Sequence, residues 1–264
     1  MRRGDIAGRA GRYLTTGLLY PIDLLLFTYY VFLSDNPVSR IANSTVLKGF
    51  VAQTIFSGVD GLKPVGLMAL AMGVGFIAPL MLFTLSMGSQ NDVVTLLIDL
   101  VVMELGPLLT AFILIARSGS AITVDLGQMR LHREIKTLES MGIDIRSFLL
   151  VPRMASGAIS QLVLAIYFSF LTVAFAVFVI SIIRPVNIGS YFHAIAIAFS
   201  LTDLLAFCIK NIGFGVIIAT IACFEGLRTT RSATEIPKRT QSSVINSLFF
   251  ILAVNVLSAV LTFG

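Results

Sequence analysis

The sequence predicts an all-α membrane protein with an N-terminal interfacial helix, five transmembrane helices and a cytoplasmic helix between the second and third spans. Three observations predict it. Of the 264 residues, 56% are hydrophobic and 12% charged, against about 25% charged in soluble domains, and the mean hydropathy is +0.93. A soluble fold of this length could not hide that much apolar surface, so lipid is the solvent for much of it. The apolar residues gather into five runs long enough to cross a bilayer. The basic residues alternate between the connections, as they do in cytoplasmic loops.

The runs cover Pro64–Met87, Val93–Ala116, Gly157–Ile183, Leu204–Phe224 and Val244–Phe263. Each approaches the roughly 20 apolar residues that a span requires. Ahead of them, residues 1–63 read as an amphipathic segment. Met1 to Arg12 is basic and Leu18 to Leu33 apolar, in the manner of a signal peptide. Pro21 and Asp23 interrupt that apolar run and no small-residue cleavage site follows, so a retained interfacial helix is expected, with a first true span over residues 16–33 as the competing reading. Residues 64–264 then form one membrane domain.

The connection from Gly88 to Asp92 carries no Lys or Arg, whereas Arg117, Arg130, Arg133, Lys136, Arg146 and Arg153 lie between the second and third runs. Arg184 alone opens the third connection, and Arg228, Arg231, Lys238 and Arg239 fill the fourth. This places the N-terminus and both basic connections in the cytoplasm and Gly264 outside. The formal charge of +5 is accounted for by these loops and implies no nucleic-acid partner. Cys208 and Cys223 sit in apolar runs at a spacing that matches no zinc or redox motif, and His132 and His193 are isolated, so no metal is expected.

The stretch Glu104–Arg153 carries the most information. Leu126 to Met141 reads as one short amphipathic helix, with Leu131, Ile135, Leu138 and Met141 recurring at helical spacing and Arg130, Arg133, Glu134, Lys136 and Glu139 on the other faces. Asp125 with Gln128 is expected to cap its start and Gly142 to end it in a left-handed turn. Such a helix could lie on the bilayer surface. Its mixed charge suits a protein groove better than an anionic membrane.

The same stretch resembles the MlaE (YrbE) family of ABC permeases, which serve lipid transport with MCE-domain proteins. The resemblance rests on Glu104-Leu105-Gly106-Pro107, Arg117-Ser118-Gly119-Ser120-Ala121, Asp125-Leu126-Gly127, Met129-Arg130, Glu134-Ile135, Leu138-Glu139, Met141-Gly142-Ile143-Asp144 and Val151-Pro152-Arg153, all in the family's order. It continues more weakly through Ile209-Lys210 and Phe224-Glu225-Gly226, and covers about Pro64 to Gly264. The chain departs from the pattern at Met103, where many relatives carry a basic residue, and at Ile145, where many carry proline. Without that proline the short helix is expected to extend toward Arg146.

The resemblance implies an MlaE-like permease domain in a bacterial inner membrane, working as a dimer of permease copies bound to an ABC ATPase dimer and to an MCE-domain ring. A STAS-domain protein often attends such complexes. The short helix becomes a coupling helix, with Arg130, Arg133, Glu134, Leu138, Glu139 and Met141 as candidate ATPase contacts. The chain has no phosphate loop, so ATP and magnesium would belong to the ATPase, and this chain needs no cofactor. The substrate implied is a phospholipid or another hydrophobic lipid. Phe76, Leu80 and Phe83 of the first span and Leu105, Leu108 and Leu109 of the second are candidate walls of the lipid path.

Glu104 is the strongest single candidate. A charged side chain inside a span costs about 2.5–3.5 kcal/mol at the helix centre on insertion scales. Met103 cannot pair with it, so it is expected to be wet or protonated, either beside the lipid path or simply shaping the helix break at Gly106-Pro107. Asp203 and Lys210, seven residues apart, read as an interfacial ion pair or as snorkelling residues. Two other functions fit less well. A membrane-embedded enzyme would show a nucleophile or metal motif, and an ion channel or stator would show a polar stripe along one span.

Overall fold

The computed structural model describes residues 20–29, 31, 44–86, 97–183, 189, 200–229 and 232–263. Among these the chain is helical and has no strand. Five helices are long and apolar enough to cross a membrane. We label them with the short helix between them: α1 (Val46–Phe83), α2 (Leu100–Leu131), α3 (Glu134–Ser140), α4 (Arg146–Ile183), α5 (Leu201–Leu227) and α6 (Glu235–Phe263). Residues 20–29 are also helical. Beyond them, most of the N-terminal segment lies outside the described residues.

The spans are longer than the apolar runs that announce them. α1 opens well before Pro64 and passes through a single 3₁₀ turn at Val59–Gly61. α2 runs through Arg117 and continues to Leu131, well past the end of its apolar run at Ala116. Tertiary packing explains the extension, because residues 120–131 lie against α5 and α6. Leu126 is fully buried, and Thr123 Oγ1 reaches Ser243 Oγ at 3.0 Å and Ala222 O at 3.2 Å.

α4 is the central helix, packed against α1, α2 and α5. Its contact with α5 is set by two glycines. A Cβ on Gly215 would lie 2.4 Å from the Gly157 carbonyl oxygen and 2.6 Å from Ala158 Cα, so only glycine allows the two backbones to meet there. Small residues do this work in membranes, where packing rather than hydrophobicity drives helices together. Around the contact, Val65, Ala111, Leu164, Phe168, Phe214, Ile218 and Ile251 form a buried cluster drawn from all five spans.

The helix ends follow ordinary capping chemistry. Ser200 Oγ accepts from the Thr202 amide, and Asp203 Oδ2 accepts from the Ser200 amide at 3.0 Å, closing a capping box at the start of α5. Asp144 does the same for α4, accepting from the Arg146 amide at 3.2 Å and from Ser147 Oγ at 2.6 Å. Arg146 therefore belongs to α4 and does not extend the helix before it. The expectation that Ile145 prolongs that preceding helix is corrected.

One π-helical stretch, Leu97–Leu105, runs into the start of α2, a second lies within α2 at Ile115–Gly119, and α1 contains one at Gly73–Ile77. Such widened turns are uncommon and concentrate at functional positions. Glu104 and Arg117 lie on the first two.

Candidate functional site

Glu104 is ion-paired. Lys210 Nζ donates to Glu104 Oε1 at 2.9 Å, and Asn255 Nδ2 donates to Oε2 at 2.9 Å, so α5 and α6 together hold a carboxylate carried by α2. The Glu104 side chain keeps 24% of its surface exposed and Lys210 11%. The sequence reading placed Lys210 with Asp203 at an interface; that is corrected, since Asp203 caps α5 and Lys210 turns to the other helix.

Pro107 explains the geometry. Proline has no amide to offer the carbonyl four residues earlier and clashes with it. That carbonyl belongs to Met103, and the Lys210 ammonium donates to it at 2.9 Å while holding Glu104. One cation thus satisfies both a broken helix and a carboxylate at membrane depth. Met103 does contribute, but through its backbone. Lys210 is the sole Lys or Arg between Arg184 and Arg228, but Asp203 on its own helix was the nearer acid, so spacing along one run did not reveal the pairing with Glu104.

Next to this site lies a second polar cluster that the sequence reading missed. Gln161 of α4 is fully buried, and its Nε2 lies 3.0 Å from Pro107 O, 2.9 Å from Thr110 Oγ1 and 3.2 Å from Asn211 Oδ1.

The candidate wall residues divide. Phe76 and Phe83 face away from the core, at 50% and 60% exposure, and Leu80 is half-buried. Leu105 packs on the cluster of Ile77, Ala78, Met81 and Val101, and Leu109 packs on the cluster around Phe168 and Phe214. Leu108 is half-buried.

The short helix between the second and third spans is shorter than its apolar spacing suggests. Leu126–Leu131 belongs to α2, the chain turns at His132-Arg133, and α3 covers only Glu134–Ser140. Arg133 adopts φ 62°, the left-handed region that a non-glycine residue rarely enters. Asp125 is therefore not a cap: it sits inside α2 and pairs with Arg153 at the start of α4. Gly142 does end the segment in a left-handed turn, at φ 78°. On α3, Ile135 is buried and Leu138 half-buried against the α2–α4–α5 cluster, whereas Arg133, Glu134, Lys136 and Glu139 are exposed and Met141 is 61% exposed. Arg130 and Glu139 meet across a cavity of about 480 Å³, whose other walls include Phe27, Ile135, Ile145 and Leu227.

Two further ion pairs tie the helices on the side where α3 lies. Arg117 NH2 lies 3.2 Å from Asp60 Oδ2 and its guanidinium stacks 5.0 Å over the Phe56 ring, joining α2 to α1. Glu225, 2% exposed, accepts from Arg239 at 3.3 Å and from Asn246 at 3.5 Å, joining α5 to α6. Among the described residues no group of His, Cys, Asp and Glu could hold a metal.

Five apolar helices, a charged triad inside the bundle and a short amphipathic helix between two of the spans define a polytopic helical membrane protein with the layout of a transporter subunit. Residues 50–261 match the family model for the permease MlaE, and the chain belongs to that family. It is 31% identical over 152 residues to a probable ABC transporter permease protein of Synechocystis, covering 58% of each chain. It is 29% identical over 166 residues to the intermembrane phospholipid transport system permease protein MlaE of Haemophilus influenzae, covering 61% of this chain and 62% of that one. A probable ABC transporter permease protein of Rickettsia typhi matches at 25% identity over 85% of this chain and 89% of its own. The matched stretch thus spans about three fifths of the first two relatives.

Proposed function

We propose that this chain is the permease subunit of an ABC transporter that moves phospholipid or another hydrophobic lipid between the inner membrane and an MCE-domain partner. The Glu104–Lys210–Asn255 triad carries the proposal. Three spans converge on a charged group that remains partly open, which is what a lipid headgroup passing through the bundle requires. The Haemophilus relative is described as part of a phospholipid transport system, and the present chain shares its family.

In this reading the permease works as a dimer, with a separate ABC ATPase dimer in the cytoplasm, an MCE-domain ring outside and a STAS-domain protein in attendance. ATP and magnesium stay on the ATPase. The exposed face of α3, with Arg133, Glu134, Glu139 and Met141, meets the ATPase, and Arg130 lines the cavity behind it. Leu138 steadies α3 from beneath, because it packs inward. The phenyl groups of Phe76 and Phe83 face lipid or the second copy.

The test is lipid transfer from reconstituted complexes. Glu104→Gln keeps the shape and loses the charge, and it is expected to preserve subunit content while slowing transfer about tenfold or more, the scale of one lost charge-assisted interaction. A wild-type rate in a normally assembled complex removes Glu104 from the transport path. Separately, Glu139→Lys alters only the exposed face of α3 and is expected to weaken ATPase association; full association would make α3 a surface anchor.

A further inference from the structure

We propose that Gln161 is a positioning residue for lipid transport: it fixes the register between the α2 segment that carries Glu104 and the α5 segment that carries Lys210. This rests on the reading of Glu104 as the transport carboxylate. The argument begins with cost. A side-chain amide buried in an apolar bundle is unfavourable unless it is hydrogen-bonded, and an apolar residue of equal size would pack there without that cost. Gln161 is fully buried in α4, so its bonds have to justify it.

Those bonds run to the two helices that form the ion pair. On α2, Nε2 donates toward Pro107 O and Thr110 Oγ1, three and six residues past Glu104. Thr110 Oγ1 in turn donates to Gly106 O at 2.6 Å, tying the amide to the same broken turn. On α5, Nε2 lies 3.2 Å from Asn211 Oδ1, the residue after Lys210. Asn211 cannot flip away, because its Nδ2 donates to Phe207 O at 2.8 Å. Nor can Gln161, because Pro107 O only accepts, so the NH₂ group must face it. Oε1 has no hydrogen-bond partner, leaving the donor end alone to hold the side chain. The amide therefore clamps both helices within one to six residues of the charged groups and touches neither charge.

Gln161→Met keeps length and volume while removing both donors. In the full complex, with fluorescent phospholipid in phosphatidylethanolamine–phosphatidylglycerol vesicles as the probe, it is expected to assemble normally and slow transfer about three- to tenfold, the range of interhelical hydrogen bonds in membranes. The decisive readout is coupling. On a Glu104→Gln background, Gln161→Met is expected to slow transfer no further, because its effect passes through the Glu104 carboxylate; a merely structural loss would multiply. A wild-type rate for Gln161→Met, or multiplying losses in the double variant, overturns the proposal. A wild-type rate for Glu104→Gln alone overturns the Glu104 reading, and the positioning role with it. Should Gln161→Met fail to assemble, Asn211→Ala removes the α5 acceptor, together with the Nδ2 bond to Phe207 O within the same helix. A smaller slowing that Glu104→Gln again masks supports the clamp, and a wild-type rate overturns it.

Discussion

Glu104 and Lys210 show how a pair of charges changes what a substitution does. Taken alone, Glu104 looks costly, and replacing it with leucine would look stabilising. With the pair in place, Glu104→Leu strands an ammonium that is 11% exposed, and its remaining partner is the Met103 carbonyl. The single variant is expected to lose about 1–3 kcal/mol, the cost of an unsatisfied buried group, seen as a lower unfolding temperature in detergent. Glu104→Leu with Lys210→Met removes both charges and is expected to regain most of that loss, since apolar replacements of ion pairs are often neutral or better. If the double variant is no more stable than the single one, the pair does not act as a unit. Glu104 was legible from its depth in a span, whereas its partners were not: Lys210 and Asn255 lie 106 and 151 positions away. Hydrophobic periodicity carries no record of which polar residues on different helices meet.

At the scale of elements, α3 marks the boundary of what periodicity can reveal. Leu131, Ile135 and Leu138 keep helical spacing across the turn, so one continuous helix and two helices predict the same apolar pattern. The break falls at His132-Arg133, where neither glycine nor proline announces it, because packing of α2 on α5 and α6 sets where the helix must stop. The other end was legible, since Gly142 supplies the left-handed conformation that few other residues accept. Gly142→Ala is expected to cost about 1 kcal/mol locally and to raise the rate of proteolytic nicking between α3 and α4. Unchanged nicking would mean that the turn is held by its neighbours. Gln161 left no trace for a comparable reason: a lone glutamine in an apolar run looks the same whether or not three acceptors await it.

For the whole molecule, the five spans were readable from hydropathy and their extensions beyond the apolar runs were not, because residues such as those at 120–131 gain helical order from neighbours rather than from lipid. The basic connections predict an orientation that labelling tests: cysteines introduced at Ser140 and Ser232 are expected to stay unlabelled by a membrane-impermeant reagent, whereas cysteines at Ser89 and Gly264, which lie outside the described residues, are expected to react. External labelling at Ser140 would place α3 on the wrong side for an ATPase. α2 joins the Glu104 site to the turn before α3 within one helix. Its 32 residues correspond to about 48 Å of helix, with Glu104 near one end and the Arg133 turn at the other. The widened turn at Ile115–Gly119 lies between those two ends, where the rotational phase of one half of the helix relative to the other is set. A slip of one residue there would turn the half that carries Glu104 by about 100° around the axis of α2, relative to the half that ends at the Arg133 turn.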